Sequence, residues 1–586
     1  MKKKIKLSDF VAQFLSKYVN RVFVGQGSSV IHILDSVDKR KDINNVPSQN
    51  EQGAALAADA YSRLTGNIGV SIATSGPGII NLLQGIGCSY FDSVPHLIIS
   101  GAVPVPHMRN NKKIRQIGFQ EMEVVDIVKP ITKYATLLKN PNRIKYELQK
   151  LVYYSKQGRP GPVLIDLPDD LQRTYIDVKK LKSFKPPKNK TKNNITSIKK
   201  ALSMISKAKR PLIIYGNGIK IAKAEKELNQ FIKKTNIPFA PTWATHDLYN
   251  HDKKNLVGIF GVAASRYGNF TIQSADLLIC LGTRLNYQLT GAKPETFAPF
   301  AKKIVVDIDA TEFTKNKGPK IDLKINSCVK DFLKVIISKN ILNNKKILKP
   351  WASWIQKTKK KYPLCEKKYY LEKKFVNPYV FFNELSNITN AKDIIIPDAS
   401  ANLIWAYQAF KPKKGQQIFT SLNHSPMGYS VAASVGAQYA KPNKRIIAII
   451  GDGSFQMNVQ ELETISYNKL PVKIFIINNQ GYGLIKGTQE LFLKKNYVGV
   501  DSSSGLGLPD FKKIAYSYNI NYCSIKNHNE LRKKIRFAVN SKNTIICDVF
   551  VDPKQRVIPK LESGQPIHNL SPLLSLKELE SNLLNI

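Results

Sequence analysis

Short apolar runs alternate with longer helical stretches along this chain, and they do so in three separate blocks. Alternation of this kind predicts a parallel sheet covered by helices on both faces. The first block, residues 1–175, holds strand candidates "RVFV", "IGVSIAT", "HLIISG" and "PVLIDLP" around helical stretches such as "EQGAALAADAYSRL". The second, 195–340, repeats the style with "RPLIIYGNG", "ADLLICLG" and "KKIVVDID". The third, 376–552, carries "DIIIPDAS", "QIFTS", "RIIAIIGDG", "VKIFIINN" and "TIICDVFV". The expected fold is therefore α/β, with three doubly wound parallel-sheet domains. A Lys/Pro/Asn-rich linker, "KSFKPPKNKTKNN", parts the first two blocks, and a basic stretch from "NILNN" to "YLEKK" with a helix or two parts the last two. The tail, 553–586, ends in an amphipathic stretch where Ser575 and Glu578 have capping-box spacing.

The formal net charge of +46 would ordinarily point to nucleic acid. Here the excess is mostly Lys, spread along the chain beside abundant Asn and Ile, and these share A/T-rich codons. No zinc-finger or RNP-type motif accompanies it, so no nucleic-acid partner is expected. The six cysteines are scattered with no CxxC pair, which argues against a zinc site and fits a reducing compartment. No apolar run reaches the length of a membrane span, and no signal-peptide core follows the basic start "MKKKIKLSDF". A cytoplasmic protein with no membrane partner is expected.

Chemistry enters where two strands stop. "RIIAII" runs into Gly451-Asp452-Gly453-Ser454, and "VKIFI" into Asn478-Asn479. In open parallel sheets, ligands bind beyond the carboxyl ends of strands. The intervening length fits one crossover helix, so the strands can be neighbours with Asp452 and Asn479 converging. A carboxylate and an amide are hard oxygen ligands suited to Mg²⁺, which keeps positions for phosphate oxygens. Gly451 and Gly453 permit close backbone approach, and the helix start that follows favours an anion. For the GDG triplet alone, a turn with a helix-capping Asp is the ordinary reading. The paired placement of both motifs makes that the weaker account.

GDG followed by some two dozen residues and NN resembles the thiamine diphosphate motif. The resemblance implies thiamine diphosphate and Mg²⁺ as cofactors. It makes Asp452, Asn479 and the Gly481 carbonyl the metal ligands, with Ser454, Tyr482 and Gly483 beside them. "NEQGAALAADAYSRLTG", "TSGPG" and "GFQE" are similar to segments of acetolactate synthases and their relatives. By that similarity Glu51 hydrogen-bonds the N1′ atom of the cofactor's pyrimidine. Gly27, Thr74, Gly76, Pro77 and Gly78 line the pyrimidine pocket, and Phe119 and Gln120 line the reaction chamber. Met427, in "HSPMGYSVAASVGAQ", is the wedge that bends the cofactor. Taken alone, Glu51 reads as a helix-start acid and Met427 as a core gap-filler. "GRPGPVLIDLP" matches the close of the family's first domain.

The resemblance spans nearly the whole chain in family order. It implies a homodimer or homotetramer with the active site at the subunit interface, and it allows a small regulatory subunit. The implied activity is that of a transferase and carboligase. A 2-oxo acid, pyruvate, is decarboxylated, and its two-carbon unit joins a second carbonyl, as in branched-chain amino acid biosynthesis. In the middle domain the resemblance allows FAD, with Gly216, Gly218, Arg284, Asp307 and Asp309 as its residues. Ordinary turns of such folds explain the same features.

Several positions depart from the acetolactate synthase pattern. Asn50 stands where His usually precedes the activating Glu. Leu484 and Thr488 replace the Met and Trp that shape the acceptor pocket, and "RLNYQ" (Arg284 to Gln288) replaces "RFDDR". These changes bear on the acceptor. A second group of relatives, which adds a two-carbon unit to a keto-sugar nucleotide for branched sugars of surface polysaccharides, fits them too. "RQIGFQE" and "ESGQPIHNLSPLL" look closer to that group. His96, His107 and His424 fall near the expected pocket loops without metal-ligand spacing, and His424 is the catalytic candidate among them.

Overall fold

The computed structural model describes residues 4–111, 113–187, 195–339 and 345–584. The first three residues of the basic start, the end of the first linker (188–194) and the "NILNN" of the second (340–344) lie outside the described residues.

Three parallel sheets form, one per block. The first holds β1 (Arg21–Val24), β2 (Asn44–Pro47), β3 (Gly69–Ala73), β4 (His96–Ala102), β5 (Tyr134–Leu137) and β6 (Pro162–Pro168), in the order β2-β1-β3-β4-β6-β5. The middle sheet holds β7 (Pro211–Tyr215), β8 (Phe239–Pro241), β9 (Leu277–Leu281), β10 (Lys302–Asp307) and β11 (Leu323–Asn326), in the order β8-β7-β9-β10-β11. The third holds β12 (Asp393–Pro397), β13 (Gln417–Ile418), β14 (Arg445–Gly451), β15 (Lys473–Asn478), β16 (Asn521–Ile525) and β17 (Ile545–Phe550), in the order β13-β12-β14-β15-β17-β16. The first and third sheets thus share one strand order. Their central strands are buried on both faces, which is why they read as unbroken apolar runs. Strands β2, β5, β8, β11 and β16 were not expected from the sequence: β8 is buried but only three residues long, and the other four are largely polar or half exposed.

The first and third domains are welded by two helices, α1 (Glu51–Thr65) and α3 (Tyr429–Ala440), with α2 (Pro77–Asp92) packed beside α1. Small residues set this closeness: a Cβ on Gly436 would fall 1.8 Å from the Ala57 carbonyl oxygen. Buried charge crosses the seam. Arg63 bonds Asp59 at 2.6 Å and Asp92 at 3.0 Å, and the Tyr429 hydroxyl donates to Asp59 at 2.7 Å. One apolar core runs through both domains.

The second linker forms a helix over Lys345–Lys361 and a 3-10 turn over Lys367–Leu371. The tail makes a small ribbon, Lys560–Leu561 with Leu570–Ser571, then the helix Leu576–Ser581. Ser575 caps that helix by accepting the Glu578 amide at 3.3 Å. The reciprocal half of a capping box does not form, because Glu578 takes the Tyr362 hydroxyl at 2.6 Å and Lys361 at 3.2 Å.

Candidate active site

Strands β14 and β15 are hydrogen-bonded neighbours, with Gly451 opposite Ile477. Asp452 and Asn479 therefore leave the sheet side by side at its carboxyl end. Both are buried. The Asp452 carboxylate accepts the Gly453 amide at 2.7 Å and the Gly481 amide at 3.0 Å. Burial pushes its carboxyl up to about 7, against the pull of those amides. A carboxylate so desolvated fits a site completed by a cation. The loop after Asn479 is wound tightly around it. A Cβ on Gly483 would strike the Asn479 amide nitrogen at 2.3 Å, one on Gly453 the Tyr482 ring at 2.1 Å, and one on Gly481 the Val500 carbonyl at 2.2 Å. A cavity of about 160 Å³ opens beside Asn479, Gly481 and Gly483, walled by Lys486 and Asp501. The donor set is a carboxylate, an amide and a carbonyl. Among the described residues no His/Cys/Asp/Glu cluster offers a rival metal site.

The helix that follows, α5 (Gly483–Phe492), is pinned by ion pairs from Lys486 to Asp501 and from Glu490 to Arg556, each at 2.5 Å. Leu484 leans on the third domain's core, and the Thr488 hydroxyl turns back to the Leu484 carbonyl at 3.1 Å.

Asp398 was not anticipated. It ends β12, next to β14, where the strand order reverses, and it is fully buried. Its carboxylate accepts the amides of Ala399 (2.8 Å), Gly428 (3.1 Å) and Ser430 (2.8 Å), and it also takes the Ser454 hydroxyl. It thus caps α3 from a neighbouring strand and ties the half-buried Met427 turn to the loop after Asp452. Asn458 makes a second tie, donating to the Gly428 carbonyl at 3.2 Å. "DAS" after an apolar run was the signal, the same strand-end acid that marks Asp452.

Glu51 opens α1. Asn50 caps the helix by accepting the Gln52 amide at 2.8 Å. The Glu51 side chain lies against Gly25, where a Cβ would overlap it at 2.2 Å, and accepts from Asn81 of α2 at 2.9 Å. Asn81 had no motif to reveal it. Gly78 follows Pro77, the first residue of α2, and its Cα–H edge faces Glu51 Oε1, 3.6 Å from where a Cβ would sit. Thr74 bonds Ser29 at 2.8 Å, and Gly27 leaves room for it. Gly76 has a left-handed φ of 60°, and a Cβ there would meet the Gln120 carbonyl at 2.9 Å, so the "TSGPG" and "GFQE" loops touch. Gln120 itself has φ 62°, and Phe119 is 83% exposed. Burial works against the Glu121 carboxylate, but the amides of Ile117, Arg109 and Gly118 outweigh it and hold its pKa below the usual range.

Glu51 is bonded inside the first domain and is not among the residues walling the cavity at Asn479.

Among the histidines, His96 is buried between Ser71 (2.8 Å) and Ser89 (3.1 Å), and burial drops its pKa to about 4. His107 is exposed, and His424 stacks on Phe91 with centroids 5.5 Å apart.

A larger cavity, about 620 Å³, lies at the carboxyl end of the middle sheet. Gly216 and Gly282 end the adjacent strands β7 and β9, where that strand order reverses. A Cβ on Gly216 would fall 2.4 Å from the Gly282 carbonyl, and one on Gly218 2.7 Å from the Gly282 Cα. Arg284 and Asp307 also line the cavity, with Arg159 reaching in from the first domain. Burial raises the Asp307 carboxyl to about 6. Asp309 does not line it. It pairs with Arg159 at 3.5 Å and Thr311 at 2.6 Å. The "RLNYQ" segment touches the third domain, Asn286 donating to Asn423 at 3.1 Å and Gln288 to the Leu422 carbonyl at 3.3 Å.

Comparison with known proteins matches each domain to a model. Residues 5–127 match the N-terminal TPP binding domain of thiamine pyrophosphate enzymes, 198–336 the central domain, and 398–549 the C-terminal TPP binding domain. The acetolactate synthase large subunit of Cyanidium caldarium is 34% identical over 563 residues, covering 93% of each chain. This chain belongs to the thiamine pyrophosphate enzymes. Acetolactate synthase 2, chloroplastic, of Nicotiana tabacum is 32% identical over 95% of this chain and 84% of its own. A probable acetolactate synthase large subunit of Methanocaldococcus jannaschii is 31% identical over 94% and 92%. The protein is a thiamine diphosphate-dependent enzyme of the acetolactate synthase-like kind, a carboligase that uses a decarboxylated 2-oxo acid. Among the described residues no helix is long and apolar enough to cross a membrane.

Proposed function

We propose that the chain makes 2-acetolactate from two molecules of pyruvate, and that each active site joins two copies of the chain. The pairing of Asp452 with Asn479, at a cavity that Glu51 does not wall, supports the shared site, and the relatives named acetolactate synthases support the product. On this reading Asp452, Asn479 and the Gly481 carbonyl hold Mg²⁺ and the diphosphate, with Gly451, Gly453, Ser454, Tyr482 and Gly483 shaping the loop around them. A second copy presents Glu51 to the pyrimidine ring. A homodimer is the smallest assembly that completes a site, and two such dimers would form a homotetramer.

Thiamine diphosphate, when bound, supplies a nucleophilic carbon and a sink for the electron pair left by CO₂. The chain's own residues do the rest. Glu51 shares a proton with ring atom N1′, oriented by Asn81 and hemmed in by Gly25. Met427, fixed through Gly428 by Asp398 and Asn458, supports the bent cofactor. Gly27, Thr74, Gly76, Pro77 and Gly78 form the wall behind the ring. Phe119 and Gln120 close the chamber against water on assembly. The middle cavity takes FAD, with Gly216, Gly218 and Gly282 at its backbone and Arg284 and Asp307 on its polar groups. Several relatives are named large subunits, which supports a smaller regulatory partner. Six free cysteines suit a reducing cytoplasm.

A second reading keeps the donor and changes the acceptor to a keto-sugar nucleotide. It is favoured by α5, where Leu484 turns to the core and Thr488 leaves open surface in place of an indole. Purified protein given pyruvate, thiamine diphosphate and Mg²⁺ tests both. Acetolactate at useful turnover supports the first reading. Slow CO₂ release with almost no acetolactate supports the second.

A further inference from the structure

Helix α4 (Glu461–Tyr467) begins ten residues after Gly451, the last residue of β14. Glu461 is almost fully buried and crosses the domain seam. Its Oε1 accepts the backbone N–H of Asn50 at 3.1 Å, and the Gln49 N–H also bonds the carboxylate. Its Oε2 takes the Thr464 hydroxyl at 2.8 Å. Room for this contact is built into α1: a Cβ on Gly53 would fall 2.3 Å from Glu461 Oε1. The third domain therefore grips the two residues just before Glu51, at the one turn where α1 lacks a side chain. An ordinary helix-start acid comes from the helix itself. Here it comes from a segment some 410 residues away, and Asn50 already fills the local cap.

We infer that Glu461 is a positioning residue for Glu51: by holding the Gln49–Asn50 backbone it sets the start of α1 and so the direction of the Glu51 carboxyl. The inference rests on the reading that Glu51 acts on the cofactor ring. The arrangement also joins the two sites a chain serves. The segment that carries Asp452 ends on the residue that steadies Glu51, so one chain's metal loop and its glutamate share a support.

The test is deuterium exchange of the cofactor's C2 hydrogen in the holoenzyme, which reads ring activation without substrate. Thiamine diphosphate affinity and melting temperature are measured alongside. Glu461→Ala should slow exchange about 10- to 100-fold, the usual scale for losing an orienting partner, with affinity within about threefold of wild type. Glu461→Gln, which keeps an acceptor for the Asn50 amide, should restore most of the rate. Gly53→Ala should mimic the loss, because its methyl displaces the carboxylate while improving helix propensity. Wild-type exchange in folded Glu461→Ala would overturn the proposal. If that variant does not fold, wild-type exchange in Gly53→Ala overturns it. A Glu51→Gln control separates the two claims: normal exchange there means that Glu51 itself has been misread, whereas slowed exchange there with normal exchange in the Glu461 variant sinks only the positioning role.

Discussion

The Asp398 carboxylate holds the Gly428 amide at 3.1 Å, one residue past Met427, and its other oxygen takes the Ser430 amide at 2.8 Å. One buried acid thus fixes the Met427 turn, while the Ser454 hydroxyl binds it to the loop after Asp452. Asp398→Ala leaves several buried amides without an acceptor. It should lower stability by about 2–4 kcal/mol and weaken thiamine diphosphate binding at least tenfold, measured by chemical denaturation and by fluorescence titration.

On the proposed reading, Glu51→Gln removes the acid that serves the ring and leaves the diphosphate grip intact. Turnover should fall by about 10²–10⁴-fold, the range of a lost general acid–base group, with cofactor affinity within an order of magnitude. Full activity in that variant would refute the assigned role.

Chelating the metal should abolish CO₂ release from pyruvate, and Mg²⁺ should restore it. Asp452→Ala and Asn479→Ala should each resist rescue until Mg²⁺ is raised well above the wild-type requirement, read from activity against metal concentration.

His96 gives a pH dependence. Its folded pKa of about 4 lies below the ordinary 6.5, so the unfolded chain takes up the proton first as pH falls. Its contribution is fully present above pH 6.5 and is lost progressively between 6.5 and 4, by about 3 kcal/mol at most. Denaturation midpoints across that window should flatten in His96→Gln.

If FAD fills the middle cavity, the purified protein should carry flavin absorbance near the visible blue. Gly218→Val should lose it, because its first side-chain carbon would fall 2.7 Å from the Gly282 backbone. Colourless wild-type protein that takes up no added flavin would remove FAD from the account.

The strand ends were legible because each apolar run stops on a polar residue. That pattern gave three sheets, the pairing of β14 with β15, and Asp452 beside Asn479. Glu51 was legible as a helix start. Asp398 carried the same strand-end mark as Asp452 without the paired motif that singles Asp452 out, whereas Asn81 and Glu461 carried none, since each works by meeting a group far off in the chain. Ser575 was half legible: its cap formed, but Glu578 found better partners in Tyr362 and Lys361. Asp309 looked equal to Asp307 in "DID", yet the strand's last turn sends one into the cavity and the other to Arg159.

The seam between α1 and α3 sets an order of events at the ribosome. The Tyr429 hydroxyl meets Asp59 across 370 residues of chain. At synthesis rates of about 5–20 residues per second, Asp59 waits roughly 20–70 s before its partner helix emerges. During that interval the small-residue face of α1, with the buried Asp59 and Arg63 behind it, has nothing to cover it. The newborn chain is most in need of a chaperone during this wait, and truncation anywhere before α3 should yield an aggregating fragment rather than a folded first domain.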